Sequence, residues 1–192
     1  DKPTAPGQPA KLEYEYARRG TLTLIAGLLV AAGVICSYTI GKTRTEQDFA
    51  AYIRLTVALK PGEKWIFILD QLNTHKSETL CLLVIELCGL KLSAEEIGVK
   101  GKSGILKDLD SRMEFLERQA HRIRFQYTPK HCSWLNQIEC WFGVFQRHAL
   151  TRASFKSTLE LQERTEKYIA YHNERAKPYD WKSSGRFLKQ PA

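Results

Sequence analysis

Two carboxylates, Asp70 and Glu139, stand where chemistry could be done. Asp70 closes the run 64–69 (KWIFIL), short and continuously apolar, as expected of a central strand covered on both faces. The C-terminal end of such a strand is the favoured place for ligand or metal chemistry in an open α/β sheet. Polar Gln71, Asn73, Thr74 and His75 follow it. The same position also suits a residue that starts a turn or caps the next helix, and position alone leaves both readings open. Glu139 is singled out by charge: from Arg118 to Lys156 there are seven Lys/Arg and three His, and Glu139 is the one acid. On a helix, Leu135, Ile138, Phe142, Phe145 and Ala149 form an apolar stripe with Glu139 at its border. A lone carboxylate at the core edge of a basic surface can hold a divalent cation while Lys and Arg grip phosphates. The alternative is a half-buried Glu paired with a neighbouring Arg.

The elements that must position these two residues are legible in outline. Residues 12–17 alternate Leu/Tyr/Tyr with Glu, as in an edge strand. Residues 21–40 carry no charge, but their β-branched and threonine content and the break at Gly33 predict a strand hairpin rather than a membrane helix. A helix is expected over 45–59, with Thr45 as N-cap and Phe49, Tyr52, Ile53 and Val57 as its buried stripe. A second apolar helix over 78–90 should end at Gly89. Arg122–Tyr127 reads as another strand, and Ser133 caps a long helix over 134–150. A last helix covers 158–175. Alternating helices and strands after a hairpin predict a mixed α/β sheet flanked by helices. The chain reads as a single domain over 1–192, with 91–120 as an insertion between core elements and 157–192 as a C-terminal helix and tail.

The net charge is +8 over 192 residues, which favours a polyanionic partner. Five cysteines, with no CxxC spacing, read as reduced thiols rather than a disulfide framework or zinc site. Gly101-Lys102-Ser103 lacks the earlier glycine and the strand of a P-loop, so nucleotide binding is not expected; Lys100 and Lys102 are read as phosphate contacts instead.

Two longer stretches resemble a known family. Leu69-Asp-Gln-Leu-Asn-Thr-His75 resembles the second-aspartate motif of the mariner-related insertion-sequence DDE transposases. Tyr127-Thr-Pro-Lys-His-Cys-Ser-Trp-Leu-Asn-Gln-Ile-Glu139 resembles their third-acid motif. Shorter pieces at 13–21, 43–49, 98–104 and 176–181 resemble one subgroup. The resemblance implies a ribonuclease-H-like fold in which three acids bind two Mg²⁺ (or Mn²⁺) ions. It implies hydrolysis at transposon ends and strand transfer into double-stranded DNA at a TA dinucleotide, by a homodimer. Asp70 carries over as the second acid and Glu139 as the third, both catalytic and metal-holding. His75, Lys130, His131 and Asn136 match motif positions and are expected at the DNA or behind the acids. Trp134 beside the acidic site and the basic Lys76 and Arg147 join them as expected DNA contacts.

The chain departs from the family pattern in two ways. The first acid is expected upstream on the first core strand, and Asp1, beside Lys2-Pro3, does not fit that role; the first strand is therefore expected to be missing and the chain inactive alone. Also, 68 residues lie between Asp70 and Glu139, which the 91–120 segment accounts for. A cytoplasmic, nucleoid-associated bacterial enzyme without membrane contact is expected. The alternatives are a non-catalytic DNA-binding or dimerising remnant, and an unrelated α/β protein with an acidic partner.

Overall fold

The computed structural model describes residues 19–129, 135–151 and 153–179. The expected edge strand at 12–17 and the cap at Ser133 lie outside them. The uncharged segment forms an antiparallel hairpin of β1 (Thr23–Leu29) and β2 (Val34–Gly41). Its turn closes with the Gly33 amide donating to the Leu29 carbonyl at 2.8 Å, and Gly33 takes φ +71°, a conformation natural to glycine. No helix of the described residues is long and apolar enough to cross a membrane.

Helix α1 (Glu46–Ala58) starts at the expected cap. The Thr45 hydroxyl accepts from the Asp48 amide at 3.2 Å, and the Asp48 carboxylate accepts from the Thr45 amide at 2.7 Å. These bonds hold the Asp48 carboxyl below the usual carboxylate range. The expected stripe of Phe49, Tyr52, Ile53 and Val57 is buried. Strand β3 (Trp65–Leu69) runs parallel to β4 (Ile123–Tyr127), with Leu69 opposite Tyr127. Between them lie a 3-10 turn (Asn73–Lys76), α2 (Glu78–Cys88), the short α3 (Ala94–Ile97) and α4 (Leu109–Glu117). Gly89 caps α2 in the left-handed conformation, as expected.

Residues of α1, α2, α4 and β4 build the first core, including Ile53, Leu80, Val84, Phe115, Leu116, Ile123 and Phe125. Residues 91–120 thus supply part of this core. The burial of β3 corrects the expectation of a strand covered on both faces: Ile66 is 55% and Ile68 47% exposed. Their side chains point away from the core in register with Arg124 and Gln126, whereas Phe67 stacks on Phe125. An unbroken apolar run does not report which face is covered.

The second core joins the hairpin to α5 (Gln137–Phe145), its one-turn π-helical continuation Gln146–Leu150, and α6 (Thr158–Glu174). Here four of the five expected stripe residues join the core, Phe145 and Ala149 buried and Ile138 and Phe142 packed against them. Fully buried Trp141 is its centre, stacked on Phe145 at 5.3 Å, while Leu135 is 39% exposed. Leu135 precedes the first residue of α5, so the helical projection does not apply to it. Helix α6 is fastened to β2 by Asn173, whose amide accepts from the Ile35 N–H at 2.8 Å and donates to the Ile35 carbonyl at 3.0 Å. Strand β1 lies between the cores, Ile25 packing on the first and Leu24, Ala26 and Leu28 on the second. Instead of the single mixed sheet expected, the described strands form two two-stranded sheets. The class is mixed α/β, with helices around small sheets.

The thiols of Cys36, Cys81, Cys88 and Cys140 are free, and burial pushes the Cys81 thiol up to about 12.

Candidate active site

Parallel pairing brings the ends of β3 and β4 to the same side of their sheet, and the Thr128 amide extends the ladder by donating to the Leu69 carbonyl at 2.8 Å. The chain then turns at Asp70. One carboxylate oxygen, Oδ1, accepts from the Leu72 amide at 3.1 Å, the local bond by which aspartate closes a turn. The same oxygen meets Nδ1 of His75 at 2.7 Å. His75 is held in turn, its ring 4.4 Å from that of Phe49 on α1. The turn-forming reading of Asp70 holds, and its side chain remains 41% exposed.

A second set of bonds ties this turn to β4. Gln71 Nε2 donates to the Thr128 carbonyl at 2.9 Å, and Lys76 Nζ donates to Gln71 Oε1 at 3.2 Å. The Tyr127 hydroxyl donates to the His75 carbonyl at 2.6 Å, and the Lys76 ammonium lies 5.4 Å from the Tyr127 ring centre. Burial raises the Tyr127 phenol above its ordinary value, with the neighbouring Cys81 and Glu117 adding to the rise. The hydroxyl therefore stays protonated and serves as a donor. Finally, Ser77 accepts from the Leu80 amide and starts α2.

The expected site residues divide into groups. Asp70, His75 and Lys76 share this turn. Lys100 reaches the same neighbourhood, 3.8 Å from Glu46 and 3.5 Å from Glu78. Lys102 is exposed on the loop after α3. Asn136 is buried ahead of α5, and Glu139 stands exposed in the first turn of that helix. Arg147 is exposed on the π turn. Lys130, His131 and Trp134 lie outside the described residues. The bonds of the Asp70 turn do not extend to Glu139, whose helix belongs to the second core.

A divalent metal can be tested against these donors. Oδ2 of Asp70 accepts no hydrogen bond among the described residues, and neither does the carboxylate of Glu139. Open carboxylate oxygens suit Mg²⁺, which binds few protein oxygens and keeps several waters. Among the described residues, no three His, Cys, Asp or Glu side chains gather into a group that could hold a metal. Each carboxylate suits such an ion by its chemistry, but the two do not form one metal-holding group among the described residues.

Reading the sequence missed Arg112 and undervalued Gln71 and Tyr127. Arg112 is buried, donating through Nε to the Lys76 carbonyl at 2.7 Å and through Nη1 to the Leu106 carbonyl at 2.9 Å. A signal existed: it precedes Phe115 and Leu116 by three and four residues, which places an arginine on the apolar face of α4.

These features define a mixed α/β domain with an acid at a strand end. A family model described as DDE superfamily endonuclease matches residues 1–162, and the chain belongs to that family. Endonucleases of this superfamily act on DNA and typically use divalent metal ions. Neither a curated protein nor a solved structure matches the chain.

Proposed function

We propose that the chain is the catalytic region of a cut-and-paste DNA transposase of the mariner-related insertion-sequence group, with a ribonuclease-H-like core. The observation that carries this reading is the end of the parallel pair. Asp70 leaves β3 beside the point where the Tyr127-to-Glu139 segment leaves β4. A two-metal nuclease needs carboxylates from separate elements to converge on ions ~3.5–4 Å apart. Asp70 and Glu139 would hold the Mg²⁺ or Mn²⁺ ions, with a further acid from a strand between the hairpin and β3. Both β1 and β3 have one edge without a strand partner among the described residues, as such a strand requires.

The bound metal supplies a polarised water or DNA 3′-hydroxyl and stabilises the leaving oxygen. The chain's own residues do the rest. His75 and the Leu72 amide fix Oδ1 of Asp70 and so aim Oδ2 outward. Lys76, Lys100, Lys102, Lys130, His131, Asn136, Arg147 and Trp134 grip or stack on the double-stranded DNA of the transposon ends and of a TA target, within a homodimer.

The test is cleavage of transposon-end DNA with Mg²⁺ or Mn²⁺, using the longest form of the protein that contains residues 1–192. Asp70→Asn and Glu139→Gln are each expected to abolish cleavage while leaving DNA binding intact. Cleavage at the wild-type rate by either variant refutes the assignment. One observation favours a second reading, a non-catalytic DNA-binding remnant: Oδ1 of Asp70 is already used as a turn cap. DNA binding without cleavage by the full protein would select it.

A further inference from the structure

Beside the Asp70 turn lies a cavity of about 320 Å³, walled by the 3-10 turn, the start of α2 and α4. Two of its lining side chains, Lys76 and Arg112, are each only 8% exposed. Burying a cation is costly unless an anion offsets it. Yet neither has a carboxylate within ion-pair distance among the described residues; the acceptors they use, Gln71 Oε1 and the carbonyls of Lys76 and Leu106, are neutral. Nη2 of Arg112 donates to no acceptor among the described residues, and Lys76 has ammonium protons to spare.

The acids nearby are already occupied. Glu46, which lines the cavity, accepts from the Thr79 hydroxyl at 2.9 Å and faces Lys100 at 3.8 Å; Glu78 faces the same lysine at 3.5 Å. Lys100 is thus balanced by two carboxylates, whereas the Lys76 and Arg112 charges are left over. The N-terminus of the 11-residue helix α2 opens at Ser77 on the cavity wall and adds partial positive charge. Thr74 and Asn73 offer polar side chains at the same wall. A volume of about 320 Å³ leaves room for a phosphate group with some of its hydration.

We propose that this cavity is an oxyanion pocket that seats a backbone phosphodiester of DNA next to the Asp70 turn, with Arg112 and Lys76 as its charged floor. The assignment of DNA as the ligand rests on the function proposed above; the oxyanion chemistry rests on the cavity alone. Arg112 suits this role because Nε and Nη1 fix its guanidinium on two carbonyls while Nη2 keeps its N–H donors for a phosphate oxygen. Such a phosphate contact fixes the register of the strand without reading its sequence.

Two measurements on the full chain test it. Inorganic phosphate at millimolar concentration should shift the backbone amide resonances of residues 73–79 and the Arg112 Nε–H. Arg112→Met should abolish those shifts; because it also removes two structural bonds, Thr74→Glu, which puts an acid at the pocket wall, should abolish them independently. With duplex DNA, each variant should bind more weakly, and the slope of log K against log salt should become shallower by about 0.9, the share of a single neutralised phosphate. If DNA binds but phosphate shifts none of these signals, or shifts them equally in Thr74→Glu, the pocket is refuted and the transposase reading stands. If phosphate binds here but no form of the chain binds DNA, DNA as the ligand is refuted together with that reading.

Discussion

Replacing Tyr127 by Phe removes a single oxygen and isolates the bond that ties the Asp70 turn to β4. In the native chain that hydroxyl donates to the His75 carbonyl at 2.6 Å from a residue only 7% exposed. The phenyl ring keeps its place in the first core, so packing is preserved and the loss is that of the hydrogen bond. A typical internal bond contributes about 1 kcal/mol net, and an acceptor left unpaired in a buried setting costs about 1–3 kcal/mol. His75 is half-buried, so water can reach its carbonyl in part, and about 1–2 kcal/mol is expected. For a chain of this size, each kcal/mol lowers Tm by about 2–4 °C, giving a fall of about 2–8 °C. Urea unfolding should show a lower midpoint at unchanged slope. Amide exchange should quicken in residues 73–76, because their tie to the strand is gone. A stability loss below about 0.5 kcal/mol, well under the expected hydrogen-bond contribution, would refute the claim that this bond anchors the turn.

Two further outcomes are expected. Gly33→Ala puts a methyl group against the Lys177 carbonyl in a left-handed turn position, and should cost more than the ~1–2 kcal/mol of that backbone conformation alone; a thermal melt unchanged from wild type would contradict it. His121, buried with its ring 4.7 Å from Phe115, has its pKa lowered by burial and then by Arg118. The fold thus favours the neutral ring, so its contribution is fully present above the unfolded value of about 6.5 and is lost as pH falls from there towards the lower folded value. His121→Phe should flatten urea midpoints across that window, and an unchanged pH profile would remove His121 as the cause.

The elements around the site were readable because their signals are local. Thr45 and Asp48 cap α1 from three residues apart, Gly89 stops α2, and the β-branched run with Gly33 folds back on itself. Asp70 at the end of an apolar strand was visible for the same reason. The stripe of α5 was legible except at its start: Leu135 precedes the helix and stays exposed, and Trp141 joins Ile138, Phe142 and Phe145 in the core. The exposure of Ile66 and Ile68 was hidden, since an apolar strand looks alike whether one face or both are covered.

The sequence by itself determined where most helices and strands begin and that the chain is basic. Tertiary structure decided what Asp70 touches. The bonds that hold its turn span 57 residues from Gln71 to Thr128 and 52 from His75 to Tyr127. They exist because β3 and β4 pair in parallel, a register set by the side chains each strand buries against α1, α2 and α4. The same packing buries Arg112 and Lys76 without a carboxylate partner among the described residues. No spacing along the chain announces that pair, because the cost of burying charge arises only once the surrounding walls have closed.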